Sequence, residues 1–335
     1  MKVKLLCAIL SAFFVFAAPL GVFAEEGKPA KTRWVNFDVT AEAMAKAMDF
    51  DIQSYGDPAS VHVDWVTLLA ISGTRNGGRW KGYDLSQIEA DAARLAGGES
   101  PEEILAGYTS YDYYHTAYKA VLGAFLGEHL REVPDRENPG QIQLDERYGL
   151  KAYSPIAEGY GYSHHKDFGN SRSYGYRRKH FGNDLIGSVG TPIIAMEGGK
   201  VEELGWNRYG GWRVGIRSHD GLRYYYYAHL RKDHPWPVHL EKGMTVQGGD
   251  VVGYLGMTGY STKENVNGMK IPHLHFGLQL VLDDSERDGY SQNWIDVYEL
   301  VRFLSRNRAT VIRYEESKDY ERKYRLFDYH YASGD

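Results

Sequence analysis

The sequence predicts an α+β fold in which a small helical domain precedes a β-rich one. Three observations carry this. From about Trp34 to His129, apolar residues recur at helical spacing behind capping signals. Residues 131–150, "REVPDRENPGQIQLDERYGL", are polar, carry Pro134, Pro139 and Gly140, and read as a linker. Beyond them the chain breaks into short β-prone runs separated by glycine. At 335 residues it is long enough for two ordinary domains.

The N-terminus reads as an export signal over residues 1–24. Positive "MKVK" is followed by the apolar "LLCAILSAFFVFAAPLGVF" and by small residues ending at Ala24. The alternative is an uncleaved membrane anchor, since the apolar run is nearly long enough to span a bilayer; Pro19, Gly21 and the small residues favour cleavage. Residues 25–33 then form a short linker to a helical domain over 34–130. In "TAEAMAKAMDFDI", Met44, Met48 and Ile52 fall four apart behind a cap at Thr40. "DLSQIEADAARLAGG" sets Ile88, Ala92 and Leu95 on one face, with Gly97 as a stop. "SPEEILAGY" is a capping box: Ser100 at the cap, Pro101 in the first turn and Glu103 three residues on. "YYHTAYKAVLGAFLGEHL" continues as an aromatic-rich helix. The β-rich domain spans 151–305. Its runs are "TPIIAMEGGKVEELGW", "WRVGIRSHDGLRYYYYAHL", "MTVQGGDVVGYLGMTG" and "HLHFGLQLVL", with Asp220-Gly221 marking a hairpin. "NWIDVYELVRFL", residues 293–304, is a closing helix. A charged, tyrosine-rich tail, 306–335, either packs back on the body or stays loose.

Composition bounds the chemistry. The charged fraction of 25% and the hydrophobic fraction of 43% are those of an ordinary globular protein. A net charge of −5 gives no reason to expect nucleic acid as a partner. Removing the signal would take Lys2 and Lys4 and no acid, moving the charge to −7. Cys7, the one cysteine, lies inside the signal. The mature chain would therefore have neither a disulfide nor a thiolate, and any metal must be held by histidine and carboxylate.

Histidines are placed where such a site could form. His273 and His275 lie two residues apart in a β-prone run, so they share one face. Taken alone, that pattern is most often two solvent-facing histidines. Upstream, "RKHFGNDLIG" holds His180 and Asp184. In a straight strand these would lie about 13 Å apart, too far to share an ion. Gly182 permits the bend that would bring them together. His229 ends the β-prone run "YYYYAHL".

Together these segments resemble the lysostaphin-like, or LytM-type, zinc metalloendopeptidases. An HxGxD segment comes first, then "GTPIIAMEGGKV", then the lone histidine of "YYAHL". The glycine-rich "GDVVGYLGMTGYST" and the final "HLHFGLQL" follow in the same order as in the family. The resemblance covers roughly residues 170–300 and leaves the helical half aside. It implies an antiparallel-sheet catalytic domain with a groove. It implies a zinc ion held by His180, Asp184 and His275, and His229 and His273 as catalytic histidines outside the ligand set. It implies peptidoglycan stem or cross-bridge peptides as substrate. Tyr174 is the candidate for a tyrosine that lines the site in some relatives, with Tyr176 as competitor. Gly277 stands where many relatives have glutamate. Physically the set is coherent: three ligands leave a position open at zinc, and two histidines can serve as base and oxyanion donor near neutral pH.

The expectation is thus an exported zinc metalloendopeptidase, secreted or associated with the cell wall, or else anchored outside the membrane by an uncleaved signal. Two readings of other classes stand beside it. A catalytically inactive relative that binds wall or regulates a hydrolase would typically lack one of the five residues, and all five are present. A biotinyl- or lipoyl-carrier-like domain would need a lysine at a hairpin tip, and Met269-Lys270 lies in the loop before the paired histidines. His164, His165, His219, His234 and His239 sit in loop-like segments and are expected to be ordinary. The tyrosine run 224–227 is expected to pack in a strand, and "GWNRYGGW" to border the groove. The helical half is expected to contribute wall or protein-partner binding and no second active site.

Overall fold

A computed structural model describes residues 37–174, 177–282 and 292–329. The expected signal, the linker at 25–33 and Tyr176 lie outside the described residues. Among the described residues no helix is long and apolar enough to cross a membrane.

Five helices come first: α1 (Ala41–Tyr55), α2 (Trp65–Asn76), α3 (Ser86–Ala96), α4 (Pro101–Ile104) and α5 (Tyr111–Leu122). Their ends follow the local chemistry. The Thr40 side chain accepts from the Ala43 N–H, and Asp64 caps α2 through Thr67. Ser100 and Glu103 satisfy each other's backbone N–H at α4. Met44 and Met48 are buried as their spacing predicts, while Ile52 is 36% exposed. Ile88, Ala92 and Leu95 are all buried.

The strands follow. A hairpin is made by β1 (Leu126–Pro134) and β2 (Ile142–Leu150). Next come β3 (Tyr162–His164), β4 (Ser171–Arg172), β5 (Arg178–Lys179), β6 (Asn183–Gly187) and β7 (Pro192–Ile194). The chain continues through β8 (Gly199–Asn207), β9 (Gly211–Ser218), β10 (Arg223–Ala228), β11 (Thr245–Val246) and β12 (Val251–Tyr254). It ends with β13 (His273–Leu280), β14 (Asn293–Ile295), α6 (Tyr298–Leu304), β15 (Val311–Arg313), β16 (Tyr320–Arg322) and β17 (Leu326–Asp328). The main sheet runs β11-β8-β9-β10-β13-β6-β3, with β14 also paired to β13. Every described pairing in it is antiparallel.

Three expectations change. The helix expected over 113–130 stops at Leu122, and the chain re-enters as a strand at Leu126. Residues 131–150, expected as linker, lie largely in the β1–β2 hairpin. Both changes have one cause: β1 finds hydrogen-bonding partners on both sides, β2 and β17, and a ladder satisfies its backbone as fully as a helix would. Residues 293–295 of the expected closing helix form a strand on β13, so the helix starts at Tyr298. The tail packs back: Lys151 and Asp328 form a buried ion pair at 2.6 Å, and β16 follows the nearly buried Asp319.

Helices and main sheet share one hydrophobic cluster, from Met44 and Leu69 through Phe125 to Phe276 and Phe303. Residues Arg33–Asp335 form one compact unit. A polar link crosses between them. Arg223, fully buried, donates to the Ala120 carbonyl at the end of α5 and to both Glu197 oxygens.

Candidate metal centre

The site is assembled by strand register. In the pairing of β13 with β6, His275 lies opposite Asp184. In the pairing of β10 with β13, Ala228 lies opposite His275, so His229 emerges beside it at the strand end. Alternation puts His273 on the same face as His275. His180 is delivered by the bend before β6. Gly182 has φ of +154°, and a Cβ there would lie 2.5 Å from the Phe276 carbonyl and 2.8 Å from the His275 ring. No other residue allows the backbone this close to the imidazole.

Three donor atoms converge. His180 Nε2 lies 2.7 Å from His275 Nδ1 and 3.0 Å from Asp184 Oδ1, and His275 Nδ1 lies 3.3 Å from that oxygen. Among the described residues, His180, Asp184 and His275 form the group whose donors could hold one metal ion. Histidine nitrogen and carboxylate oxygen suit a borderline or hard divalent cation.

His229 and His273 stand just outside this group. Their rings are 4.8 Å apart, and the His229 ring is 6.0 Å from that of His275. His229 Nδ1 is 2.8 Å from the Thr258 carbonyl, and His273 Nδ1 is 2.8 Å from the Ile271 carbonyl. A carbonyl only accepts, so each Nδ1 carries the hydrogen and each Nε2 of a neutral ring keeps its lone pair. His229 has a left-handed backbone, φ +62°, held by its own N–H on the Gly210 carbonyl. Such strain in a non-glycine residue is concentrated at functional sites.

The charges are tightly coupled. Burial pushes His180 down, but the carboxylates of Asp167 and Asp184 outweigh it and hold the ring up at about 9. Burial alone would raise Asp184; hydrogen bonds from His180 and His275 hold it well below the usual carboxylate range. Burial, reinforced by His273 and His275, keeps His229 well below the usual histidine range.

Two residues of this centre escape a sequence reading. Arg172 donates to Asp167 Oδ2 at 2.6 Å and to Asp184 Oδ2 at 3.0 Å. Asp167 Oδ1 accepts from the Asp184 N–H at 3.2 Å, and its carbonyl lies 3.1 Å from His180 Nδ1. These contacts turn the second oxygen of Asp184 away from the donor cluster and hold the His180 ring by its outer nitrogen. Asp167 lies in "YSHHKDFGN" and Arg172 in "SRSYGY", and neither segment has a pattern that marks it.

The centre opens into a cavity of about 400 Å³. Asn207, Tyr209 and Gly210 border it, as expected of "GWNRYGGW". The tyrosine run divides: Tyr225 and Tyr227 are buried in the core, while Tyr224 and Tyr226 face the cavity. Tyr174 is stacked on Tyr260, 4.6 Å between centroids, and Tyr260 lines the wall. At Gly277 a Cβ would lie 2.7 Å from the Trp294 ring; Trp294 fills the space a larger side chain would need. His164 lies in β3, against Tyr298, and His234 is bound to Asp319.

Residues 178–288 match peptidase family M23. The chain carries an M23 domain of the lysostaphin-like type. It is 38% identical over 117 residues to the L-Ala–D-Glu endopeptidase of Bacillus subtilis, covering 35% of this chain and 34% of that protein. It is 38% identical over 98 residues to lysostaphin of Staphylococcus staphylolyticus, covering 29% of this chain and 18% of that one. The chain thus spans a third or less of these curated relatives. A crystal structure from Ruminococcus gnavus, named provisionally as a glycyl-glycine endopeptidase LytM, superimposes with a TM-score of 0.52 at 20% identity. It covers 83% of this chain and 92% of its own, a likeness of fold that extends well beyond residues 178–288.

Proposed function

We propose that this chain is an exported zinc metalloendopeptidase that cleaves peptide bonds in peptidoglycan stem or cross-bridge peptides, acting outside the cytoplasmic membrane or at the cell wall. The observation that carries this is the convergence of His180, Asp184 and His275 beside two histidines whose Nδ1 atoms are each tied to a backbone carbonyl, all in one open cleft. A relative from Vibrio cholerae named as a peptidoglycan DD-endopeptidase, and the one named as an L-Ala–D-Glu endopeptidase, support the substrate class.

The donor set fits zinc: two imidazoles and one carboxylate, no thiolate, and a cavity adjoining them. When bound, zinc polarises the scissile carbonyl and makes a water acidic enough to attack near neutral pH. The protein's own part follows from its geometry. Arg172 and Asp167 hold Asp184 and His180 in orientation. His229 and His273, each fixed by its Nδ1–H, supply between them the base that takes a proton and the donor that holds the developing oxyanion. The cleft walls, Tyr209, Tyr226 and Tyr260 among them, position an extended peptide. Tyr174 supports that wall from behind Tyr260.

The test separates ligands from catalytic groups. His275→Ala loses most of its zinc, since a three-ligand site has no spare donor. His229→Ala and His273→Ala keep zinc by elemental analysis and lose turnover of a soluble stem peptide by about a hundredfold or more. A zinc-replete His275→Ala, or a zinc-free His229→Ala, sinks the assignment.

A further inference from the structure

A second cavity, about 580 Å³, opens between the turn at 188–191, the segment after His229 and the β15–β16 hairpin. Its wall carries Arg231, Lys232, Arg313 and Lys318 and, among the described residues, no carboxylate. In a chain of net charge −5 this is a local reversal of sign. The cations are poorly neutralised. Among the described residues, no ion pair is made by Arg231, Lys232 or Lys318, and Arg313 has only the exposed Glu315 at 3.9 Å. The nearby carboxylate of Asp319 is already engaged. It accepts from His234 Nε2 at 2.6 Å, Tyr254 Oη at 3.0 Å and the Val238 N–H at 3.2 Å.

Arg231 is built into this wall. Its Nε donates to the His234 carbonyl at 2.9 Å, and its guanidinium carbon sits 4.5 Å from the Tyr254 ring centroid. This fixes the plane of the fork and leaves the terminal nitrogens for a ligand. A half-buried guanidinium with no ion-pair partner among the described residues, its nearest carboxylate influence coming from the already engaged Asp319, costs stability that an anion would restore. Ser188 and Thr191 add hydroxyls to the same wall.

We propose that this cavity binds a multiply charged oxyanion of the phosphate class, either free or as the repeating group of a phosphodiester polymer. A fixed guanidinium matches two oxygens of one tetrahedral anion, and the lysines are flexible point charges that close on the rest. Four cations need more than the single charge of a carboxylate. The site lies outside the metal centre, so it would hold the protein to an anionic polymer without entering the reaction, raising the effective concentration of peptide substrate near it.

The test is calorimetric titration of the full chain at low salt with inorganic phosphate, poly(glycerol phosphate) and poly(glutamate). It is repeated on Lys232→Glu/Lys318→Glu, whose two positions are exposed and make no contact that the fold needs. Binding of phosphate, of the phosphodiester polymer or of both is expected, weakened about tenfold or more in the double variant. Phosphate alone would point to a soluble ligand, and the polymer alone to contacts along a chain. Zinc content and soluble-peptide turnover should be unchanged in the double variant. The proposal is overturned by absence of binding in both arms, by poly(glutamate) binding as tightly as the phosphodiester, or by binding insensitive to the two lysines.

Discussion

Replacing Asp167 by asparagine should weaken zinc binding about tenfold without emptying the site. Within the centre Asp167 contacts Arg172 at 2.6 Å, the Asp184 N–H at 3.2 Å, and His180 Nδ1 through its carbonyl at 3.1 Å and through Oδ2 at 3.3 Å. Asparagine keeps the backbone carbonyl contact and one oxygen for the Asp184 amide. It loses the negative charge, and its NH₂ meets the donors of Arg172. Arg172 is then left with Asp184 and, at 3.0 Å, His180 Nδ1, and competes more strongly for the Asp184 carboxylate. Outer-shell partners of a ligating histidine typically govern about 10- to 100-fold in metal affinity. Because the carbonyl still orients the ring, the lower end is expected, about 1.4 kcal/mol. The assay is competition against a chromophoric chelator at fixed pH, with the melting temperature of the metal-free protein as a fold control. Unchanged affinity would show that the Arg172–Asp167 bridge does not act on the metal. Loss of all binding with the fold intact would make Asp167 a ligand.

Three further outcomes are expected. Since His180 is held up at about 9 in the metal-free chain, its proton stabilises that state fully below the ordinary value of about 6.5; this is lost as pH rises through about 9. Zinc must displace the proton, so affinity should climb with pH until about 9 and then level, and a pH-independent affinity would contradict the ligand role. Burial pushes His164 down to about 4, and neither ring nitrogen has a partner among the described residues. The folded protein therefore loses stability as pH falls below the unfolded value of about 6.5. His164→Phe should stabilise it and flatten that acid limb in denaturant titrations; a destabilised variant with the limb intact would refute this. Arg223→Met strips Glu197 of its buried counter-charge and α5 of its link to the sheet. It should cost about 3–5 kcal/mol, and denaturation that loses the helices before the sheet would mean that the two do not fold together.

The grouping of the candidate centre is more legible in the sequence than the chain's organisation, for physical reasons. His180, Asp184, His229, His273 and His275 could be read because strand alternation and one glycine-permitted bend place them with few assumptions; the register of β6, β13 and β10 then brings them together. Helix caps were equally local: Thr40, Ser100 and Glu103 act within one turn. What could not be read depends on partners far along the chain. The strand at Leu126–Pro134 has helical spacing, and only β2 and β17, the latter nearly two hundred residues on, make it a strand. Arg172 and Asp167 belong to the centre through distance alone, with no residue pattern to announce them. Gly277 departs from the glutamate of many relatives, and the Trp294 ring that fills its space lies in a strand paired alongside.

The most direct test of the central claim is mass spectrometry of purified peptidoglycan digested by the protein carrying one equivalent of zinc. The same digest is run after chelation and with His273→Ala. The account predicts fragments with new peptide amine termini from the zinc-loaded protein, lost on chelation, restored by added zinc, and nearly absent with His273→Ala. Intact peptidoglycan after incubation with the zinc-loaded, folded protein would contradict it.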